Sequence, residues 1–169
     1  MAPIKKQDQK ITPCLWFNDN GEEAVKFYTS IFKNSKTGAI SRYGEGAPLP
    51  KGTAITVSFQ IEGQKFLALN GGPYFKFTEA VSFVVHCKTQ KEVDYYWNKL
   101  SKGGGEGQCG WLKDKYGLSW QIVPTIIAEL MSSKNAERSS RVMQALLKMK
   151  KLDIETLKQA YNGTPEGKK

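Results

Sequence analysis

One order of elements is written twice in this chain, and that recurrence constrains the fold more than any single motif. The first copy opens with Ile11 to Phe17, an apolar run that reads as a buried strand, with Pro13 confining it to an edge or a strand start. "NDNGEEAVKFYTSIFKN" follows. Asn20 stands as an N-cap with Glu23 three residues on, and Ala24, Phe27, Tyr28, Ile31 and Phe32 recur at the helical period. Three strand-like runs come next, "TGAISRYGE", "TAITVSFQIEG" and "QKFLALNGG", with Glu62-Gly63 as the hairpin turn. The order β-α-β-β-β then repeats. "AVSFVVHCK" predicts a strand, and "TQKEVDYYWNKLSKGG" predicts a helix opened by the capping box Thr89-x-x-Glu92. Val93, Tyr96, Trp97 and Leu100 share one face of it, and Gly103 lies beyond its end. "GEGQCGWLKD" supplies one or two strands and "LSWQIVP" the last.

The expected fold class is therefore α+β: tandem β-α-β-β-β modules, 11–72 and 81–124, joined by a linker at 73–80. Residues 125–163 form a helical extension. A short helix runs to Ser132, a second carries Val142, Leu146 and Met149, and a third is capped by Asp153 and stops at Gly163. The 142–149 stripe is read as a packing face against the sheet or a dimer mate. Residues 1–10 are expected to be flexible and 164–169, "TPEGKK", to be a disordered tail.

Composition narrows the function classes. With 40% hydrophobic and 24% charged residues the chain is globular, and no run approaches the roughly 20 apolar residues of a membrane span. "MAPIKKQDQK" has no apolar core of a secretory signal, so a cytoplasmic location is expected. The net charge of +9 is spread in clusters at 5–10, 148–151 and 168–169 without a recognition motif, so a solvated basic surface is expected and no specific nucleic acid. Cys14, Cys87 and Cys109 are odd in number and far apart, which argues for reduced thiols. Cys14 is read as a buried thiol whose one titratable candidate partner is His86.

A glutamine in the last strand raises the question of chemistry. Gln121 sits among β-formers between Gly117 and Pro124, so its amide must be exposed, satisfied or functional. Alternation puts Ser119, Gln121 and Val123 on one face and Leu118, Trp120 and Ile122 on the other. If Gln121 faces a cavity, Trp120 packs under the helices, and Trp16, Phe75 and Trp111 are the candidate cavity aromatics. Asn70-Gly71-Gly72-Pro73 reads as a tight turn from which Asn70 can still offer its amide. Gly103-Gly104-Gly105 reads as a helix stop and connector, since no helix begins after it.

Three stretches, "EEAVKFYTSIF", "LALNGGPYFKF" and "CGWLKDKYGLSWQIVP", carry a resemblance. With the tandem repeat they make the chain similar to the vicinal oxygen chelate superfamily of glyoxalase, bleomycin-resistance and extradiol-dioxygenase relatives. Within it the chain resembles the PhnB-like family, often labelled 3-demethylubiquinone-9 3-methyltransferase. The tail "RVMQALLKMKKLDIETLKQAY" resembles that family's extension. The resemblance implies cup-like half-barrels that pair, a ligand cavity on the concave face, and a homodimer. In metal-dependent members His on the first strand and a carboxylate on the fourth strand of each module hold the ion. Here the implied slots fall near Thr12 or Cys14, at Ser82, near Ala68 or Asn70, and at Gln121, none of them His, Asp or Glu. His86 is the only histidine, so a two-His, two-carboxylate site cannot be built and no metal or other cofactor is expected. No glycine-rich turn for S-adenosylmethionine is present either, and the methyltransferase label stands as a family name only. The expected function is metal-independent binding of a small organic ligand. Gln121, Asn70, Ser82, Cys14, Trp16, Phe75 and Trp111 are the candidate contacts. The alternative is an enzyme of lyase, isomerase or dioxygenase type acting on an unknown metabolite.

Overall fold

A computed structural model describes residues 9–47 and 49–163. The chain divides between Lys76 and Phe77 into two compact units. The first contains β1 (Cys14–Phe17), α1 (Gly21–Ile31), β2 (Lys36–Arg42), β3 (Ala54–Ile61) and β4 (Gln64–Asn70). The second contains β5 (Ser82–Cys87), α2 (Gln90–Ser101), β6 (Gly105–Glu106), β7 (Trp111–Lys113) and β8 (Ser119–Pro124). It continues through α3 (Ile126–Met131), α4 (Ala136–Leu147) and α5 (Ile154–Asn162). The strand orders are β1-β4-β3-β2 and β5-β8-β7-β6. In each sheet the first and fourth strands are parallel and the remaining pairs antiparallel, so the repeat in the sequence is a repeat of topology.

Local chemistry explains the first module. Pro13 precedes β1, an edge strand, where its missing N–H costs no ladder bond. Glu62 and Gly63 both take positive φ, 46° and 85°, the backbone that a two-residue hairpin of native twist requires. One side of the sheet is buried beneath α1. Leu15, Phe17, Val57, Phe59, Phe66 and Ala68 meet Ala24, Val25 and Tyr28 there. Tyr28 stacks on Phe59 at 6.3 Å and Phe59 on Phe66 at 5.2 Å. Gln9 falls within the stretch expected to be flexible, yet its side-chain amide bonds both backbone groups of Lys65, at 2.8 and 2.9 Å. Residues 1–8 of that stretch, and the tail at 164–169, lie outside the described residues.

The second module buries Cys87, Leu112, Trp120 and Ile122 beneath Val93, Trp97 and Leu100 of α2. The Thr89 cap forms, with Glu92 N–H donating to Thr89 Oγ1 at 3.2 Å, while the Glu92 carboxylate reaches one residue beyond the expected partner and accepts from Lys88 N–H at 2.6 Å. Where one or two strands were expected before the last, both β6 and β7 form, and each is short.

The stripe on α4 corrects an expectation. Val142 packs with Leu130 and Leu157, flanked by Leu146, Met149 and Tyr161, so the three extension helices build a small core of their own. The extension is tied to the module through its connecting turn: Cys109 and Gly110 N–H donate to the Met149 and Lys150 carbonyls at 2.7 and 2.8 Å. The Gln90 side chain bridges Leu152 O and Ile154 N, and Lys151 pairs with Asp94 at 2.6 Å. Apolar contact supplies the cohesion and these polar ties fix where the bundle lies.

Candidate functional site

Each sheet has one side under its helix and one open side. On the open side of the second sheet, Val84, Gln121 and Trp111 stand in register across β5, β8 and β7, and Ser82, Ser119 and Lys113 form the next row. Gln121 is half-buried, and its Nε2 donates to Ser82 Oγ at 2.9 Å. The structure thus brings three expected residues, Gln121, Ser82 and Trp111, onto one face.

The phase of β8 is set by the first residue of the Asp114-Lys115-Tyr116-Gly117 turn. Asp114 is 2% exposed; its Oδ1 accepts from Tyr116 and Leu118 N–H, at 2.8 and 3.1 Å, and its Oδ2 from Trp120 Nε1 at 2.9 Å. The carboxylate closes the turn into β8 and pulls the Trp120 indole to the helix side, which turns Gln121 to the open side. The Asp-x-x-Gly turn is legible in the sequence, whereas the reach of its carboxylate to the Trp120 indole is not.

Beside Gln121 lies a hollow of about 230 Å³ whose wall includes Trp111, Lys113, Ser119, Glu79 and Glu106. Lys113 pairs with Glu79 and holds that exposed carboxyl below its ordinary pKa, chiefly by their hydrogen bond. Glu106 accepts from Trp97 Nε1 at 3.1 Å. Ser119 is 1% exposed, and among the described residues its Oγ is the buried side-chain polar atom with no partner.

The first module is arranged differently. Asn70 is buried on the helix side. Its Oδ1 accepts from Gly21 N–H at 2.8 Å and its Nδ2 donates to Ala54 O at 3.0 Å. It therefore caps α1 in place of Asn20, whose side chain makes no capping bond. Gly21 is required for this approach, since a Cβ there would lie 2.7 Å from Asn70 Oδ1. The slots expected at Ala68 or Asn70 are displaced by one residue: both face α1, and Leu67 and Leu69 occupy the open side opposite Cys14 and Trp16.

Cys14 is exposed on that open side, not buried, and partial desolvation raises its thiol pKa, so it is not an activated nucleophile. The fully buried thiol is Cys87, pushed up to about 12 by burial. Trp16 and Phe75 meet edge to face at 4.9 Å. The Trp16 indole lies against Gly71 and donates to Gly72 O at 2.9 Å, while Phe75 is exposed.

These donors do not fit a divalent cation. The slot residues of the first module are a thiol beside leucines, and those of the second a hydroxyl and a neutral amide already bonded to each other. His86 stands in register with Val123 at the far end of β5. Among the described residues no group of three or more His, Cys, Asp and Glu side chains could hold a metal ion.

Two sheets of order 1-4-3-2, each with a parallel outer pair and a helix after its first strand, define a vicinal oxygen chelate-type protein. The model of the 3-demethylubiquinone-9 3-methyltransferase family matches residues 9–123. The chain belongs to that family. The PhnB protein of Bacillus cereus, described under the same methyltransferase name, is 40% identical. The match covers 69% of this chain and all of that one, with a TM-score of 0.65. A protein of Pseudomonas aeruginosa is 20% identical and shares the fold, with 69% and 97% of the two chains covered and a TM-score of 0.57. No curated protein matches.

Proposed function

We propose that this protein binds a small organic ligand on the open face of its second module and needs no resident metal to do so. The observation that carries the reading is the Gln121–Ser82 hydrogen bond at 2.9 Å, with Trp111 in register beside it. A neutral amide and a hydroxyl donate and accept but carry no charge to offset a cation. They orient a polar group on a ligand while Trp111 and Val84 cover its apolar part. Neither group titrates near neutrality, which favours binding over proton-transfer chemistry.

Two further readings accompany this one. A second copy of the chain covers exposed apolar residues such as Met143 and Leu147 of α4, 41% and 60% exposed, giving a homodimer. Three unpaired cysteines suit the reducing cytoplasm.

A thermal-shift screen of aromatic metabolites, quinones and antibiotics tests the reading on the wild type and on Gln121→Leu. A hit that stabilises the wild type is expected to lose its effect in the variant, whose unliganded melting point stays within a few degrees. A shift of the same size in both proteins removes Gln121 from the site.

A further inference from the structure

The hollow beside Gln121 has a composition from which a ligand class can be read. Its wall holds two carboxylates and one ammonium, and each already has a partner: Glu79 with Lys113, and Glu106 with the Trp97 indole. An anion would face the carboxylates, and a cation would have to break an existing pair. The wall therefore suits a neutral molecule.

One polar group in that wall is unspent. Ser119 Oγ is shielded from water and unpartnered, and a buried hydroxyl left in that state costs free energy that a single incoming hydrogen bond recovers. Trp111 offers an aromatic surface in the same wall, and a volume of about 230 Å³ admits one ring with a short substituent. Strand register keeps these groups together: Ser119 stands opposite Lys113, and Trp111 opposite Gln121.

We propose that this hollow is a subsite for a neutral ring bearing one hydroxyl or carbonyl oxygen, with the ring against Trp111 and the oxygen on Ser119 Oγ. The assignment rests on the open face being the ligand face, and it adds the chemical class and the atom that reads it. Gln121 does not line the hollow, so the two assignments fail separately.

The probes are phenol, toluene and benzoate, titrated into full-length ¹⁵N-labelled protein near pH 7 and followed by amide chemical shifts. Phenol is un-ionised at that pH, and toluene offers the ring without the oxygen. Phenol is expected to move the Trp111 and Ser119 signals saturably, and to bind about five- to tenfold more tightly than toluene, the ratio one net hydrogen bond gives. Benzoate is expected to leave those signals in place. Ser119→Ala should reduce phenol to the affinity of toluene without weakening toluene. Equal phenol affinity in wild type and Ser119→Ala overturns the assignment, as does benzoate binding as tightly as phenol, or the absence of saturable phenol shifts at Trp111 and Ser119. A screening hit whose thermal shift depends on Gln121 while phenol leaves the Ser119 signal in place would overturn the subsite and leave the Gln121 reading intact.

Discussion

Two amides stand on the fourth strands of the two modules and do opposite things. Asn70 of β4 is buried on the helix side with both halves of its amide spent on the backbone, at Gly21 N–H and Ala54 O. Gln121 of β8 lies on the open side, bonded to one hydroxyl and reachable from outside. The modules share strand order and pairing, so the contrast comes from the phase of each strand. A shift of one residue carries a side chain from one face of a sheet to the other. In β8 the Asp114 turn sets that phase; in β4 the tight Glu62-Gly63 hairpin does. An amide on the fourth strand is thus a fold element in one module and, on the proposed reading, a ligand group in the other.

The largest expected effect is at Asp114. Asp114→Ala strands three donors, one of them the Trp120 indole, and should cost about 3–5 kcal/mol by denaturant melts, with the open face of the second module disordered. Asn70→Ala comes next, at about 2–4 kcal/mol, because it removes the cap of α1 and the partner of Ala54 O. Gln121→Leu in the same assay is expected within about 1 kcal/mol of wild type, since Ser82 and the half-buried amide keep access to water. Equal losses for Asn70→Ala and Gln121→Leu would erase the contrast.

The thiols sharpen the comparison further. Iodoacetamide at pH 8 should modify Cys14 on the open side of β1 and spare Cys87, whose thiol stays protonated to about pH 12, until the protein is unfolded. Mass spectrometry of digested peptides reads this directly; early labelling of Cys87 would place it on the wrong face of β5.

The smallest effect concerns the extension. The hydrogen bond from Lys151 holds the Asp94 carboxyl below its ordinary range. A depressed carboxylate stabilises the fold above its unfolded pKa, and that contribution is lost as pH falls through the folded value. Both side chains are substantially exposed, so the loss should be below about 1 kcal/mol and screened by salt. A Lys151→Gln variant should melt like the wild type at acid pH and slightly lower at pH 7.

How much of this was legible in the sequence varies with the kind of signal. The repeat was, because helix periodicity, the Thr89 capping box and the Glu62-Gly63 turn are local. The face of β4 was not: Phe66, Leu67, Ala68 and Leu69 are all apolar, so alternation is silent and Asn70 could be read either way. Cys14 was misread for a similar cause, since a short apolar run does not show that one side of β1 is open. The α4 stripe showed that a partner existed but not that it lay in α3 and α5. At the site, Gln121 announced itself as an amide among β-formers. The Glu79–Lys113 pair and the unpartnered Ser119 hydroxyl are long-range facts that only the folded chain displays.

The central claim is that the open face of the second module binds its ligand through Gln121 without a metal. Calorimetric titration of a screening hit into EDTA-dialysed protein, with metal content measured on the same sample, tests it most directly. The account predicts unchanged affinity after dialysis and at least tenfold weaker binding in Gln121→Leu. Binding that vanishes with the chelator and returns with one equivalent of nickel, zinc or manganese would contradict it.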